Sequence, residues 1–431
     1  MLLSFRVANH GSLREPQELN LVPVYADERP ALTVAAIFGA NASGKSTVLD
    51  AYRFFTLAVK ESQARWLPDA PIPRRPFLLD RESRTQPSTY AVDLVLDGVR
   101  YVYGFAVTDT AVTEEWLYAY PKGRRRVLFE REGMTLDYGS TLTGNRVQIE
   151  RTLRPNSLYL SAAAQGAHGQ LSAIWRHVAT GFVIDDDTRQ DLGRIGGMAV
   201  AITESFEAEG LPVRKAFLAA ADLGVHGVRQ GAERTVKRFD KPPGDGSSGP
   251  SDAFLQALLA AADHTVEFVH RVGDEEFVLP EDAESAGTRT WLQLTAFALS
   301  AVLAGVPLLV DEIDISLHPL LTARLLKLFQ DPELNPKGAQ LIFTTHSAAL
   351  LGTMLGDEVL RRDQIWFTEK DPRTAASTLY PLSDFKPRKG ENFERRYLAG
   401  SYGGVPVLPD VDHERIVKAM WEAQGGADVS A

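Results

Sequence analysis

Ile37-Phe38-Gly39-Ala40-Asn41-Ala42-Ser43-Gly44-Lys45-Ser46-Thr47 decides the fold of this chain. The apolar run 34–38 predicts a buried strand, and residues 47–55 predict the helix that follows. Between them stands GxxxxGKS, a loop whose backbone N–H groups can wrap phosphates at a helix N-terminus. Gly39 and Gly44 allow turns that a side chain would obstruct. Asn41, Ala42, Ser43 and Thr47 complete the cradle, while Lys45 would reach the β- and γ-phosphates and Ser46 a magnesium ion. A glycine turn can match such a pattern by chance, but strand, loop and helix in this order predict a nucleotide binder.

A hydrolytic site needs more than a phosphate loop, and the other parts follow in order. Pro307-Leu308-Leu309-Val310-Asp311-Glu312 reads as a short buried strand ending in two carboxylates. Asp311 there would support magnesium, and Glu312 would polarise an attacking water. Gln340-Leu341-Ile342-Phe343-Thr344-Thr345 reads as another buried strand and delivers His346 at its end. An imidazole in that place can hydrogen-bond the γ-phosphate or the water. Taken singly, an acidic pair after a strand caps a surface and a lone histidine is structural; behind a phosphate loop, Lys45, Glu312 and His346 form a catalytic set.

Glu284-Ser285-Ala286-Gly287-Thr288 opens a predicted helix over 289–303, just before the acidic strand. Serine, a small residue and glycine leave N–H groups at a positive helix end. Ser285 and Gly287 would thus offer a second phosphate surface, and the first loop already fills the one in the same subunit. The expectation is that they meet the γ-phosphate held by a second copy, so that ATP joins a homodimer. The competing reading of Ser285 is an ordinary helix cap.

These residues resemble the ABC-type ATPase heads of the SMC, RecF and OLD group. Gly39 to Ser46 is similar to their phosphate loop, and Asp311-Glu312-Ile313-Asp314-Ile315-Ser316-Leu317-His318-Pro319 to their acidic strand and its continuation. More narrowly, Glu284 to Thr288, Asp363-Gln364-Ile365-Trp366-Phe367 and Tyr397-Leu398-Ala399-Gly400-Ser401-Tyr402-Gly403-Gly404-Val405-Pro406 resemble the RloA-like proteins, stand-alone ATPases of bacterial restriction and abortive-infection loci. The resemblance runs from Phe5-Arg6-Val7-Ala8-Asn9-His10 to about Pro406. It implies an α/β fold, a P-loop NTPase of ABC-ATPase type with an antiparallel β-subdomain and an inserted helical lid or arm. It also implies ATP and Mg2+ as ligands, an ATP-sandwich homodimer, and a separately encoded effector, often nuclease-like, in anti-phage defence. Two features depart from the wider pattern: the signature is SAGT rather than LSGGQ, and His318 replaces the usual aspartate. Gln86 is a candidate for the magnesium-sensing glutamine. A RecF-like DNA repair ATPase, a transporter ATPase subunit and a nucleotide-gated scaffold with little turnover are the alternatives.

Composition agrees with this class. The chain has 431 residues, 44% apolar and 24% charged, ordinary for a globular protein of one large core or two domains. Cysteine is absent from the sequence, which excludes disulfides and thiolate metal sites and fits a cytoplasmic location. Residues 294–310 are uncharged and nearly membrane-span length, but Gly305 and Pro307 should split them into a buried helix and a buried strand. No membrane partner is expected. A net charge of −10 gives no overall pull toward nucleic acid. The basic runs at 122–126 and 386–396 read first as solvated faces, so DNA contact stays open rather than expected.

Along the chain, strands are expected at 2–8 and 18–21. A meander follows over 90–130, with Asp97-Gly98 as a tight turn. Trp116, Tyr118 and Tyr120 recur at period two and read as a packed or rim face rather than an adenine platform. Residues 185–223 look mostly helical, 241–250 cannot pack, and 252–262 is helical before strands near Phe268. This suggests an ATPase core in two parts, 1–184 and 266–384, around an inserted helical or lid region at 185–265 containing the loop 241–251. Residues 385–431 form a C-terminal extension. No sustained heptad repeat marks a coiled-coil arm. Too little chain follows His346 for a Toprim nuclease, and Asp410-Val411-Asp412 reads as helix-start acids ahead of the amphipathic stretch 416–421. Residues 425–431 should fray.

Overall fold

The computed structural model describes residues 1–184, 224–233, 264–355, 358–386, 390–406 and 413–423. The amino-terminal part carries β1 (Leu2–Ala8), β2 (Gln17–Asn20), β3 (Val34–Gly39) and α1 (Lys45–Glu61). The meander follows as β4 (Ser88–Leu96), β5 (Val99–Val107), β6 (Val112–Tyr120), β7 (Arg126–Glu132) and β8 (Thr135–Tyr138). Next come α2 (Arg146–Thr152), α3 (Tyr159–Gln165), α4 (Gly169–Val178) and β9 (Phe182–Ile184). Beyond them lie β10 (Val225–Glu233), β11 (His264–Val272), β12 (Glu275–Pro280), α5 (Ala286–Ala304), β13 (Pro307–Val310) and α6 (Pro319–Gln330). The last elements are β14 (Gln340–Thr344), β15 (Ile365–Lys370), β16 (Ser377–Pro381), α7 (Phe393–Leu398) and α8 (His413–Ala423).

Three sheets result. The central one has the order β16-β15-β3-β14-β13-β9, with β15, β3, β14, β13 and β9 parallel and β16 antiparallel at the edge. Its inner strands are continuous apolar runs because both faces are covered. Ala35 and Ile37 join Leu309, Ile342 and Trp366 in a core shared with α1 and the antiparallel sheet. Val34, Ala36 and Phe38 point the other way, with Val310, Phe343 and Phe367, into a second core under α5 and α6. Strand periodicity thus divides one run between two cores.

The second sheet is antiparallel, in the order β2-β1-β4-β5-β6-β7-β8. Asp97 and Gly98 both take positive φ (50° and 75°), as a two-residue hairpin turn of matching twist requires. Trp116, Tyr118 and Tyr120 lie on the half-exposed face of β6. Trp116 covers Gly104, Arg125 stacks 3.9 Å above the Tyr118 ring, and Arg100 sits 4.9 Å from that of Tyr120. They form a rim face, and Arg125 of the 122–126 run is paired with Glu130.

The third sheet, β10-β11-β12, departs from expectation. The described part of the proposed helical insertion is strand β10, and the boundary drawn at 265/266 falls inside β11. The helices expected at 185–223 and 252–262, the loop 241–250, Asp410-Val411-Asp412 and the end 425–431 lie outside the described residues. Gly305, at φ 72°, caps α5 and turns the chain into β13, so the apolar stretch 294–310 is a buried helix and a buried strand. Among the described residues no helix is long and apolar enough to cross a membrane.

Candidate active site

β3 ends at Gly39, and the chain turns through Ala42 (φ 61°) and Gly44 (φ 107°) into α1. A side chain at position 44 would also meet Ser377 Oγ at 2.5 Å and Ser12 Oγ at 2.9 Å, so glycine is required twice over. The helix begins at Lys45, two residues earlier than its apolar pattern indicates, with no side-chain cap and no acid in its first turn. Its leading N–H donors and the positive end of its dipole are therefore available to an anion. Lys45 is buried, and its ammonium donates to the carbonyls of Gly39 (2.9 Å) and Ala40 (3.0 Å). Burial pushes its pKa down, while Glu312, Asp311 and Asp314 pull it back up. The carboxylates thus offset part of what burial costs the ammonium.

A cavity of about 340 Å³ opens over the loop, walled by Asn41, Ala42, Gly44, Lys45, Ser46 and Thr47. Glu312 and His346 face into it from the neighbouring strands. Glu312 adopts φ 48°, an uncommon backbone for a residue with a side chain. Thr344 holds it there: its hydroxyl accepts the Glu312 N–H at 2.6 Å and donates to Asp311 Oδ1 at 2.5 Å. The His346 N–H is shared between both Asp314 carboxylate oxygens at 3.3 Å. His346 Nε2 lies 3.6 Å from Glu312 Oε1, beyond a good hydrogen bond but close enough for one water to engage both.

Other expected residues lie outside the cavity wall. Gly39 and Ser43 are buried beneath the loop, where Ser43 Oγ meets Thr368 Oγ1 at 2.6 Å and a side chain at position 39 would strike both oxygens. They tie the loop to β15. Asp311 is buried behind Glu312. Gln86 is exposed and absent from the cavity lining, its carbonyl instead accepting from Asn9 and Arg74, which does not support a magnesium-sensing role. Ser285 and Gly287 also lie apart from this cavity. Ser285 is the cap of α5, which starts at Ala286, its hydroxyl accepting the Thr288 N–H at 3.1 Å. Glu284 accepts the Ser285 N–H at 2.8 Å and is held by His270 at 2.7 Å. A side chain on Gly287 would come within 2.8 Å of the Ser316 carbonyl, so signature and acidic-strand continuation pack backbone to backbone. His318 caps α6, its Nδ1 accepting the Leu320 N–H at 3.2 Å.

Sequence reasoning missed Ser12 and Lys370, which complete the cavity wall, and the buttressing hydroxyls of Thr344, Thr368 and Ser377. A lysine ending an apolar strand is a usable signal, but only sheet order reveals that this strand lies beside β3. The Tyr397–Pro406 motif has a place too. Tyr397 and Tyr402 stack on Phe367 (5.5 and 5.7 Å), Tyr397 meets Phe38 edge-on, and Gly404 packs beside Gly39. The motif props the loop from behind.

Magnesium bound with phosphates ordinarily takes one or two protein oxygens and completes its shell with phosphate and water. The exposed Ser46 hydroxyl on the cavity wall and the fixed Asp311 carboxylate suit that arrangement. Among the described residues no cluster of three or more ligating side chains forms a self-sufficient metal cage.

A parallel sheet whose central strand feeds a phosphate loop, flanked by an acidic strand and a strand ending in histidine, defines a P-loop nucleotide-binding protein of the AAA/ABC ATPase superfamily. The chain belongs to the family described as "AAA domain, putative AbiEii toxin, Type IV TA system", whose model matches residues 34–352. No curated protein matches the sequence.

Proposed function

We propose that the chain is an ABC-type ATP hydrolase that closes as a homodimer around ATP and thereby controls a separate effector. The observation that carries this is the division of labour between two surfaces. Lys45, Ser46, Glu312 and His346 share one cavity, while Ser285 and Gly287 lie apart from it, Gly287 packing on Ser316 in a stretch whose Ile315, His318 and Leu320 are exposed. A second copy would bring its Ser285–Gly287 surface over the cavity. Toward phosphate, the Ser285 hydroxyl would keep the Thr288 N–H and turn its own proton from Thr288 Oγ1, 2.8 Å away, to the ligand, with N–H groups at the start of α5 completing the contact.

In that complex the first turn of α1 and Lys45 bind the β- and γ-phosphates. Glu312, fixed by Thr344, takes a proton from the attacking water, and His346 holds the γ-phosphate or the water in line. Ser46 and Asp311 would hold Mg2+, which neutralises phosphate charge. Residues 1–184 and the part from α5 to residue 384 would form the ATPase portion, with the stretch between them, which carries the β10-β11-β12 sheet, as an insertion and 385–431 as an extension. The toxin–antitoxin description of the family favours a partnered setting, and the RloA-like resemblance adds to it phage defence in the cytoplasm with a separately encoded, nuclease-like effector. DNA contact is not required.

The test is Glu312→Gln beside Lys45→Ala. With ATP and Mg2+, light scattering should find Glu312→Gln as a stable dimer and Lys45→Ala as the nucleotide-free species. If Glu312→Gln hydrolyses ATP as fast as the unaltered protein, the assigned base is wrong.

A further inference from the structure

Lys370 is the second cation on the cavity wall, and neither the phosphate loop, the acidic strand nor the histidine strand supplies it. Among the described residues its ammonium has no ion-pair or hydrogen-bond partner, in contrast to Lys45, which is bonded to two loop carbonyls. Its place follows from sheet order. β3 is flanked by β14 on one side and β15 on the other. β14 leads to His346 and lies beside β13, which leads to Asp311 and Glu312. β15 pairs Thr368 with Gly39, so Lys370 projects past the loop on the opposite flank. Ser12 belongs to that flank too, since the Ser377 N–H of β16 donates to its carbonyl at 2.7 Å.

The cavity therefore has a polarity. Glu312 and His346, the groups able to break a phosphoanhydride, stand at one end, with Asp311 buried behind Glu312 and Asp314 bonded to the His346 N–H. The loop and the start of α1 hold the middle of a phosphate chain. The part of the nucleotide that is not cleaved must leave toward the other end, where Ser12 and Lys370 stand. Ser12 spends its hydroxyl within the protein, accepting from Ser377 at 2.7 Å and donating to Thr47 at 3.3 Å. Lys370 is left as the group at that end with charge to offer.

We propose that Lys370 binds the α-phosphate end of the nucleotide, a contact common to the di- and triphosphate and blind to whether the γ-phosphate is present. This rests on the ATPase reading above and adds to it a residue that retains the product. The protein would keep a grip on ADP after cleavage through Lys370, while the contacts of Glu312, His346 and the second copy are lost. Lys370 is exposed, so replacing it leaves both cores untouched.

Calorimetric titration of the full chain with ADP and with a non-hydrolysable ATP analogue, each with Mg2+, tests this. Lys370→Gln should weaken both by about tenfold, as loss of one charge-assisted phosphate contact does, and leave their ratio unchanged. Lys370→Arg should retain both affinities within about threefold. Unchanged affinities in Lys370→Gln overturn the assignment, and so does weakening of the analogue alone, which would put the contact at the cleaved end. If the unaltered protein binds neither nucleotide, the ATPase reading falls and this proposal with it. Binding by the unaltered protein together with an indifferent Lys370→Gln sinks Lys370 alone.

Discussion

Thr344 shows how much chemistry one hydroxyl can organise. It accepts the N–H of Glu312 and donates to Asp311, so a single oxygen sets both carboxylates and holds Glu312 in its left-handed backbone. Thr344→Val keeps the shape and removes both bonds, leaving buried polar groups unmet at a cost of about 1–3 kcal/mol. We predict a lower denaturation midpoint and a fall in kcat of about ten- to a hundredfold, because the base loses its fixed geometry. Thr344→Ser should restore most of both; a serine variant no better than valine would show that the methyl group matters instead. The sequence displays Glu312, His346 and Lys45 openly, as ionisable side chains just beyond apolar runs, and the fold brings all three to one cavity. It conceals Thr344, because threonine is an unremarked strand residue until the neighbouring strand is known.

Helices and strands repeat this at larger size. β3, β13 and β14 are legible as unbroken apolar runs, and the 97–98 hairpin as a turn dipeptide. Both α1 and α5 begin earlier than their apolar pattern, at Lys45 and Ala286, because each first turn is made of small or polar residues. β10 stays hidden since Val225–Glu233 carries two glycines and little alternation. A Cβ at position 287 would come within 2.8 Å of the Ser316 carbonyl, so Gly287→Ala would push the start of α5 off it. We expect a stability loss of about 1–3 kcal/mol and loss of ATP-dependent dimerisation, read by light scattering with a non-hydrolysable analogue; an alanine variant that still dimerises would remove this contact from the interface. On α4, burial pushes the pKa of His177 down to about 4. The unfolded chain takes up this proton near pH 6.5, where the folded one refuses it. Stability from this group is thus complete above about pH 6.5 and lost as pH falls toward 4, by about 1–3 kcal/mol. His177→Gln should flatten that part of the urea-midpoint profile, and parallel profiles for the two proteins would refute it.

For the molecule as a whole, the family match stops at 352 while the sheet continues. β15 and β16 complete the central sheet beyond β3, and Phe367, Tyr397 and Tyr402 back the loop. A chain ended after Gly352 would leave β3 as a bare apolar edge, a template for aggregation. We predict that such a fragment is insoluble or fails to bind nucleotide; a soluble, nucleotide-binding fragment would show the extension to be dispensable. In the intact chain, a non-hydrolysable ATP analogue at about a hundred times its Kd should add roughly 2.7 kcal/mol of stability, and Lys45→Ala should gain none.

Phe38 and Thr368 touch although 330 residues separate them. On the ribosome, then, the glycine-rich loop emerges long before either strand that will flank it. Contacts this distant form slowly, so the newborn protein must shelter an apolar strand until its flanking strands are made, and the cavity over the loop is not walled before His346 and Lys370 have been added.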